Sequence, residues 1–409
     1  MKKEDSVFSR RASRRAFLTK GSMAAGLATV GVGSLVGLPA LAAEDETSGS
    51  LTRGDAAILR FLQALETIEA DLWKQYAELG GASVSTGTAG VSPIDLTDQN
   101  GNPVTTGLAP LYIGGLQILD GDMPQYIVDN TDDEFSHASF LKNYLESKGA
   151  STVDLNKQFA NLPPSKVTGV PQNGRLTNLT QLTIDTSFWT RYRDDTNNPD
   201  LNPGFKFDQA VPTLAVNKHT AIPRTDKDLV ADQSQQNGVG LHTQAIAFTA
   251  GFHFAFIEQG GSSLYPSLAQ RVTSLEVLRI LLSIGPTETA HFQTWHDKAG
   301  NATQITDTDK GFPGSTGATV SFPNLNDPNH TIAQANELQT NLIMPEPTFF
   351  LNQKFGRVSI IRPTETKGAA MGAVKALTDD GLFIGQSAAF FELLHDLAED
   401  ADEATRGGA

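Results

Sequence analysis

Glu134-Phe135-Ser136-His137 and Glu288-Thr289-Ala290-His291 are the two stretches on which the reading of this chain turns. Each is E-x-x-H. Residues three apart on a helix share a face, so each stretch would present one carboxylate and one imidazole in the same direction. With eight histidines in the chain, and Glu at its ordinary frequency, chance supplies only about 0.4 such pairs. Two of them, each on an apolar stripe, call for a common cause.

The surrounding periodicity predicts four long helices. The first, from about 55 to 79, aligns Ile58, Leu62, Leu65, Glu69, Leu72, Tyr76 and Leu79. The second, from about 125 to 148, aligns Ile127, Glu134, His137, Leu141 and Tyr144. The third, from about 241 to 264, carries Leu241, Phe248, Gly251, Ala255, Glu258 and Tyr265 on one face. The fourth, from about 273 to 298, carries Val277, Leu281, Ile284, Glu288, His291 and Trp295. Every stripe contains an acid, and a buried acid needs a partner.

Between these segments, residues 81–120 and 149–237 are too long for ordinary helix connections and read as loop-rich insertions, expected to cover one end of the helices. Residues 301–409 read as a turn-rich C-terminal extension closing in an amphipathic helix from Ser387 to Ala404. Gly260-Gly261 and Gly285-Pro286 fall within the third and fourth stripes, where they would stop or kink a helix.

The chain has no cysteine, which excludes disulfides, thiolate nucleophiles, iron–sulfur clusters and thiol-ligated zinc. Any metal would be held by oxygen and imidazole. The formal charge of −15 falls to about −20 without residues 1–42, which carry seven basic and two acidic side chains. Such a surface repels phosphate backbones and anionic lipid, so neither nucleic acid nor membrane binding is expected beyond the N-terminal segment.

That segment, 1–42, has the order of a signal peptide: a charged region, an apolar run from Gly21, and an A-x-A site at Ala40-Leu41-Ala42. Ser13-Arg14-Arg15-Ala16-Phe17-Leu18 resembles the twin-arginine export signal. The resemblance implies a bacterial protein exported already folded, periplasmic or extracellular, with cleavage of the signal left open.

Two E-x-x-H pairs on facing helices, joined by one further Glu from each of two others, resemble the ferritin-like family. The segment from Leu65 to Trp73 looks like that family's first helix and Asp133 to Ala138 like its second. The resemblance implies a mainly α fold, a ferritin-like four-helix bundle over 43–300, holding two metal ions, with iron favoured over manganese. Its ligands would be Glu69, Glu134, His137, Glu258, Glu288 and His291, with Glu134 and Glu288 bridging. Glu66 competes with Glu69, because Trp73 follows it by seven residues. Tyr76 and Tyr265 are further site candidates, read first as core and second as electron relay.

The implied function is iron, oxygen or peroxide redox chemistry outside the cytoplasm; if the protein is an enzyme, it is an oxidoreductase of ferroxidase-like or peroxide-reducing type. The alternative is a scaffold that kept the bundle, lost the chemistry and binds a partner through its loops; oligomerisation is compatible with either. His253, His296 and His395 read as structural or surface residues. Asp307-Thr308-Asp309 reads as a turn, since it lacks the Gly and terminal Glu of a calcium loop. No G-x-S-x-G or H-E-x-x-H motif supports a hydrolase.

Overall fold

In the computed structural model, residues 50–82, 96–191, 206–325, 347–361 and 367–407 are described. The N-terminal export segment read from the sequence lies outside them. The described residues are mainly helical, with only short strands. No described helix is long and apolar enough to cross a membrane.

The elements run, in order, α1 (Arg53–Gly80), α2 (Pro110–Leu119), α3 (Met123–Ser147), α4 (Leu155–Phe159), α5 (Phe188–Arg191), α6 (Leu241–Ala269), α7 (Leu275–Ala299), strands β1 to β4, α8 (Ala369–Asp380) and α9 (Ala388–Glu403). The starts of the long helices are locally encoded. Thr52 caps α1, its hydroxyl accepting the N–H of Asp55, and Ser274 caps α7 by accepting the N–H of Val277. Pro124 stands in the first turn of α3, where its missing N–H costs nothing. The Asp55 carboxylate then accepts the N–H groups of Thr273 and Ser274, pinning the α6–α7 turn to the start of α1.

The four long helices α1, α3, α6 and α7 pack antiparallel to their neighbours. Along α6 and α7, Tyr265 meets Gly285, Glu288 meets Gly261, and Ala299 meets Gly251, so residue numbers rise on one helix as they fall on the other. Thr131 bonds to the Trp73 carbonyl while His137 faces Glu66, which gives the same sense for α1 and α3. Backbones approach most closely within the α1–α3 and α6–α7 pairs. Across the pairs, contact is made by long side chains, among them Trp73, Phe254 and Trp295, whose rings are 4.8–5.3 Å apart.

Neither glycine pair ends a helix. α6 runs through Gly260-Gly261 and Pro266 to Ala269, and α7 runs through Gly285-Pro286. Pro286 and Leu282, whose carbonyl loses its partner, are both exposed, so water can serve that carbonyl.

Both insertions pack on the long helices. α2, inside the first, packs on α6 and α1. The second lies along the flank of α1, where Asp71 accepts the N–H groups of Leu176 and Thr177 and the Thr177 hydroxyl, and Arg175 pairs with Glu78. Asp71, Gln75 and Glu78 form a polar stripe at helical spacing, yet all three are buried.

The C-terminal region holds two antiparallel hairpins, β1 (Ile305–Thr308) with β2 (Thr319–Phe322) and β3 (Thr348–Phe349) with β4 (Arg357–Val358). α9 packs on α1 and α8. Asp307-Thr308 is strand rather than turn: Asp307 faces His242, and Asp309 pairs with Arg224.

Candidate metal centre

Glu66 from α1, Glu134 and His137 from α3, Glu258 from α6, and Glu288 and His291 from α7 converge in the space between the two helix pairs. Two groups of ligand atoms, each within 4.8 Å of one another, can hold a metal ion: Glu66, Glu134, His137 and Glu288 in one, and Glu134, Glu258, Glu288 and His291 in the other. Glu134 and Glu288 belong to both. His137 Nδ1 lies 3.2 Å from Glu134, 3.3 Å from Glu288 and 3.4 Å from Glu66. His291 Nδ1 lies 3.1 Å from Glu258 and 3.2 Å from Glu134. Both imidazoles thus turn the same nitrogen inward, and the rings stand 6.4 Å apart.

Glu69, preferred over Glu66 on the sequence, belongs to neither group. Seven residues along a helix return to nearly the same direction, so Glu66 shares its face with Trp73 and Glu69 with Tyr76. α1 is buried on most of its circumference, so the apolar stripe through Glu69 does not single out the direction of the site. Glu69 keeps some solvent contact, yet removal of most of its carboxyl from water, then the charges of Glu66, Glu288, Glu134 and Glu258, push that carboxyl well above the usual range. Tyr265 donates a hydrogen bond to Glu66, which puts it at the edge of the site, whereas Tyr76 pairs with His253.

Three neighbouring residues were given no part in the site by the sequence. The Asn130 amide donates to Glu134 and to Glu258, both at 3.0 Å, and its carbonyl accepts the indole N–H of Trp295 at 2.7 Å. Asp133 lies 3.1 Å from His291 Nε2. A carboxylate behind a ligating imidazole fixes its tautomer and raises its basicity. The available signal was position, since Asn130 precedes Glu134 by one helical turn. The third, Gly261, leaves room for Glu288: a Cβ there would stand 2.8 Å from Glu288 Oε2.

The protonation pattern is that of a cluster short of positive charge. Burial pushes the Glu66 carboxyl up to about 7, and burial together with the charge of Glu134 raises that of Glu288 well above its ordinary value. Burial opposes charge on His137 and His291, but the facing carboxylates, Glu66 for the one and Glu258 for the other, outweigh it and hold both imidazoles protonated. These cations in turn hold Glu134 well below the carboxylate range despite its burial.

Comparison of the chain with protein-family models, curated proteins and solved structures finds no match. What the site can hold follows from its donors. Glu288 Oε2 is buried without a hydrogen-bond partner among the described residues, and Glu288 Oε1 and Glu66 Oε2 face only His137 Nδ1, at 3.3 and 3.4 Å, a costly arrangement unless a further cation enters. Four carboxylates carry the charge that two divalent cations offset, leaving the imidazoles neutral and free to ligate. The donor set, oxygen and imidazole without thiolate, therefore fits two metal ions.

Proposed function

We propose that the chain is an exported ferritin-like protein in which α1, α3, α6 and α7 form a four-helix bundle around a dinuclear iron or manganese centre, used in oxygen or peroxide chemistry. The observation that carries this reading is the sharing of Glu134 and Glu288 between two ligand groups contributed by four helices. Hard oxygen donors with one imidazole per ion favour iron or manganese over softer metals. When bound, a pair of such ions supplies two adjacent one-electron sites able to act together on an oxygen species.

The protein's own contributions are positional and electrostatic. Asp133 orients His291, Asn130 sets the angle of both Glu134 and Glu258, and Gly261 lets Glu288 reach between the sites. The ligand carboxylates are almost wholly buried, while His137 and His291 keep 10% and 11% of their side chains exposed. Small molecules would enter between α3 and α7, where Asp133 reaches solvent. Twin-arginine export, which delivers folded protein, is consistent with a metal loaded before secretion.

Substitution of both His137 and His291 by Ala tests the proposal. Purified wild-type protein is expected to carry close to two ions per chain and to oxidise ferrous iron, and the double variant to lose both properties while staying helical by circular dichroism. Equal metal content and oxidase activity in the two proteins would favour the scaffold reading.

A further inference from the structure

Outside the carboxylate cluster, the most unusual polar grouping is a fully buried Tyr–His–Asp chain. Tyr76 Oη lies 2.8 Å from His253 Nδ1, and His253 Nε2 lies 3.0 Å from Asp380 Oδ2 at the end of α8. All three are at most 1% exposed. An ionised Asp380 can only accept, and in that state His253 carries its proton on Nε2, leaving Nδ1 to accept the Tyr76 hydroxyl. The phenol therefore faces a base held in one tautomer.

This chain connects to the metal ligands. Tyr76 meets Trp73 edge-on at 5.8 Å, and Trp73 stacks on Trp295 at 5.3 Å. Trp295 donates to Asn130, which donates to Glu134 and Glu258. The two tryptophans differ from Tyr76 in one respect. The Trp73 indole N–H is buried without a partner, and that of Trp295 faces an amide oxygen. Neither can hand its proton to a base, so an electron hole on either is short-lived, whereas one reaching Tyr76 can be trapped.

We infer that Tyr76, His253 and Asp380 form a proton-coupled redox site that is oxidised through Trp73 and Trp295 by a one-electron oxidant at the carboxylate cluster. Tyr76 gives up one electron and its phenolic proton. The Oη–H bond breaks, an Nδ1–H bond forms on His253, and a neutral phenoxyl stands beside an imidazolium whose charge Asp380 balances. An oxidised transition-metal ion, held by the Glu and His side chains of the cluster, would accept the electron and be reduced by one unit. The inference rests on the proposed metal centre for its natural oxidant alone, and its chemistry can be tested without that centre.

The absence of native cysteine allows a ruthenium polypyridyl photo-oxidant to be attached at a single Thr294→Cys, beside Trp295. With a cobalt(III) ammine as electron acceptor, illumination of the metal-free protein is expected to give a neutral tyrosyl radical by electron paramagnetic resonance. Tyr76→Phe removes the signal and Tyr265→Phe keeps it. His253→Gln, which can accept a hydrogen bond but is a far weaker base, slows radical formation about a hundredfold or more. In unsubstituted Tyr76 protein moved to D2O, a strongly coupled exchangeable deuteron at the phenoxyl oxygen reports the imidazolium directly. A radical that survives Tyr76→Phe, or one without that deuteron coupling, overturns the inference. Treating iron-loaded protein with peroxide forms a separate arm: no radical there, with the photochemical signal intact, removes the metal centre as oxidant and leaves the triad standing.

Discussion

Gly260 and Gly261 offer a paired experiment in which adjacent, chemically identical substitutions are expected to diverge. A Cβ at Gly260 meets nothing within 4 Å, whereas one at Gly261 would lie 2.8 Å from Glu288 Oε2, 3.0 Å from its Cγ and 3.2 Å from its Cβ. Gly→Ala inside a helix is worth about 1 kcal/mol from backbone propensity. Gly260→Ala should gain that amount with no effect on metal content. Gly261→Ala gains the same propensity but incurs overpacking of about 1–3 kcal/mol, so the metal-free protein should change by about zero to 2 kcal/mol. The larger effect is on binding. Glu288 serves both ligand groups, and its displacement should weaken metal affinity about ten- to a hundredfold, the range seen when a ligand loses its support. Denaturant titration of the metal-free proteins and calorimetric metal titration separate the two quantities. Equal metal affinity in the two variants would refute the role given to Gly261 and, with it, the bridging position of Glu288.

Glu66→Gln is expected to lower metal content, whereas Glu69→Gln keeps two ions per chain; elemental analysis of both decides which carboxylate of α1 ligates. Loading the metal-free protein at pH 7 should release protons, because both imidazoles are protonated before binding, and calorimetry in buffers of different ionisation enthalpy measures the number. Away from the centre, burial disfavours charge on His242, but its bonds to Asp228 and Asp307, beside Arg224, Asp309 and His219, raise its pKa from 6.5 to about 9. A raised imidazole stabilises fully below the unfolded value, so this contribution is complete below about pH 6.5 and is lost as pH rises through about 9. His242→Gln should flatten the stability profile over that window in pH-dependent thermal melts. Asp71→Ala strands the N–H groups of Leu176 and Thr177, and should cost about 2–5 kcal/mol in denaturant unfolding.

The helices that carry the candidate ligands were legible because their signal is local. Apolar spacing placed α1, α3 and α7 within about two residues of their ends, while α6 overran the expected stop because Pro266 sits in a helix already held by its neighbours. Both E-x-x-H pairs were visible because i, i+3 spacing is a helical property. The choice between Glu66 and Glu69 was not legible, since it depends on which flank of α1 the other helices occupy. The Asp71, Gln75 and Glu78 stripe has the pattern of a solvated face and becomes dry only because residues 175–177 return to it from a hundred positions away. α8 was missed because its apolar face, Ala370, Val374 and Leu377, is small and its neighbours are rich in Gly and Ala. Without α8 there is no Asp380, and His253 has no visible role.

The most direct test of the central claim is anomalous X-ray scattering from crystals of protein loaded with iron or manganese. Two peaks about 3.5–4 Å apart, with Glu134 and Glu288 spanning them, Glu66 and His137 on one and Glu258 and His291 on the other, are the predicted result. Loaded crystals with no anomalous peak among these six side chains, or with ions bound only at the surface, would contradict it.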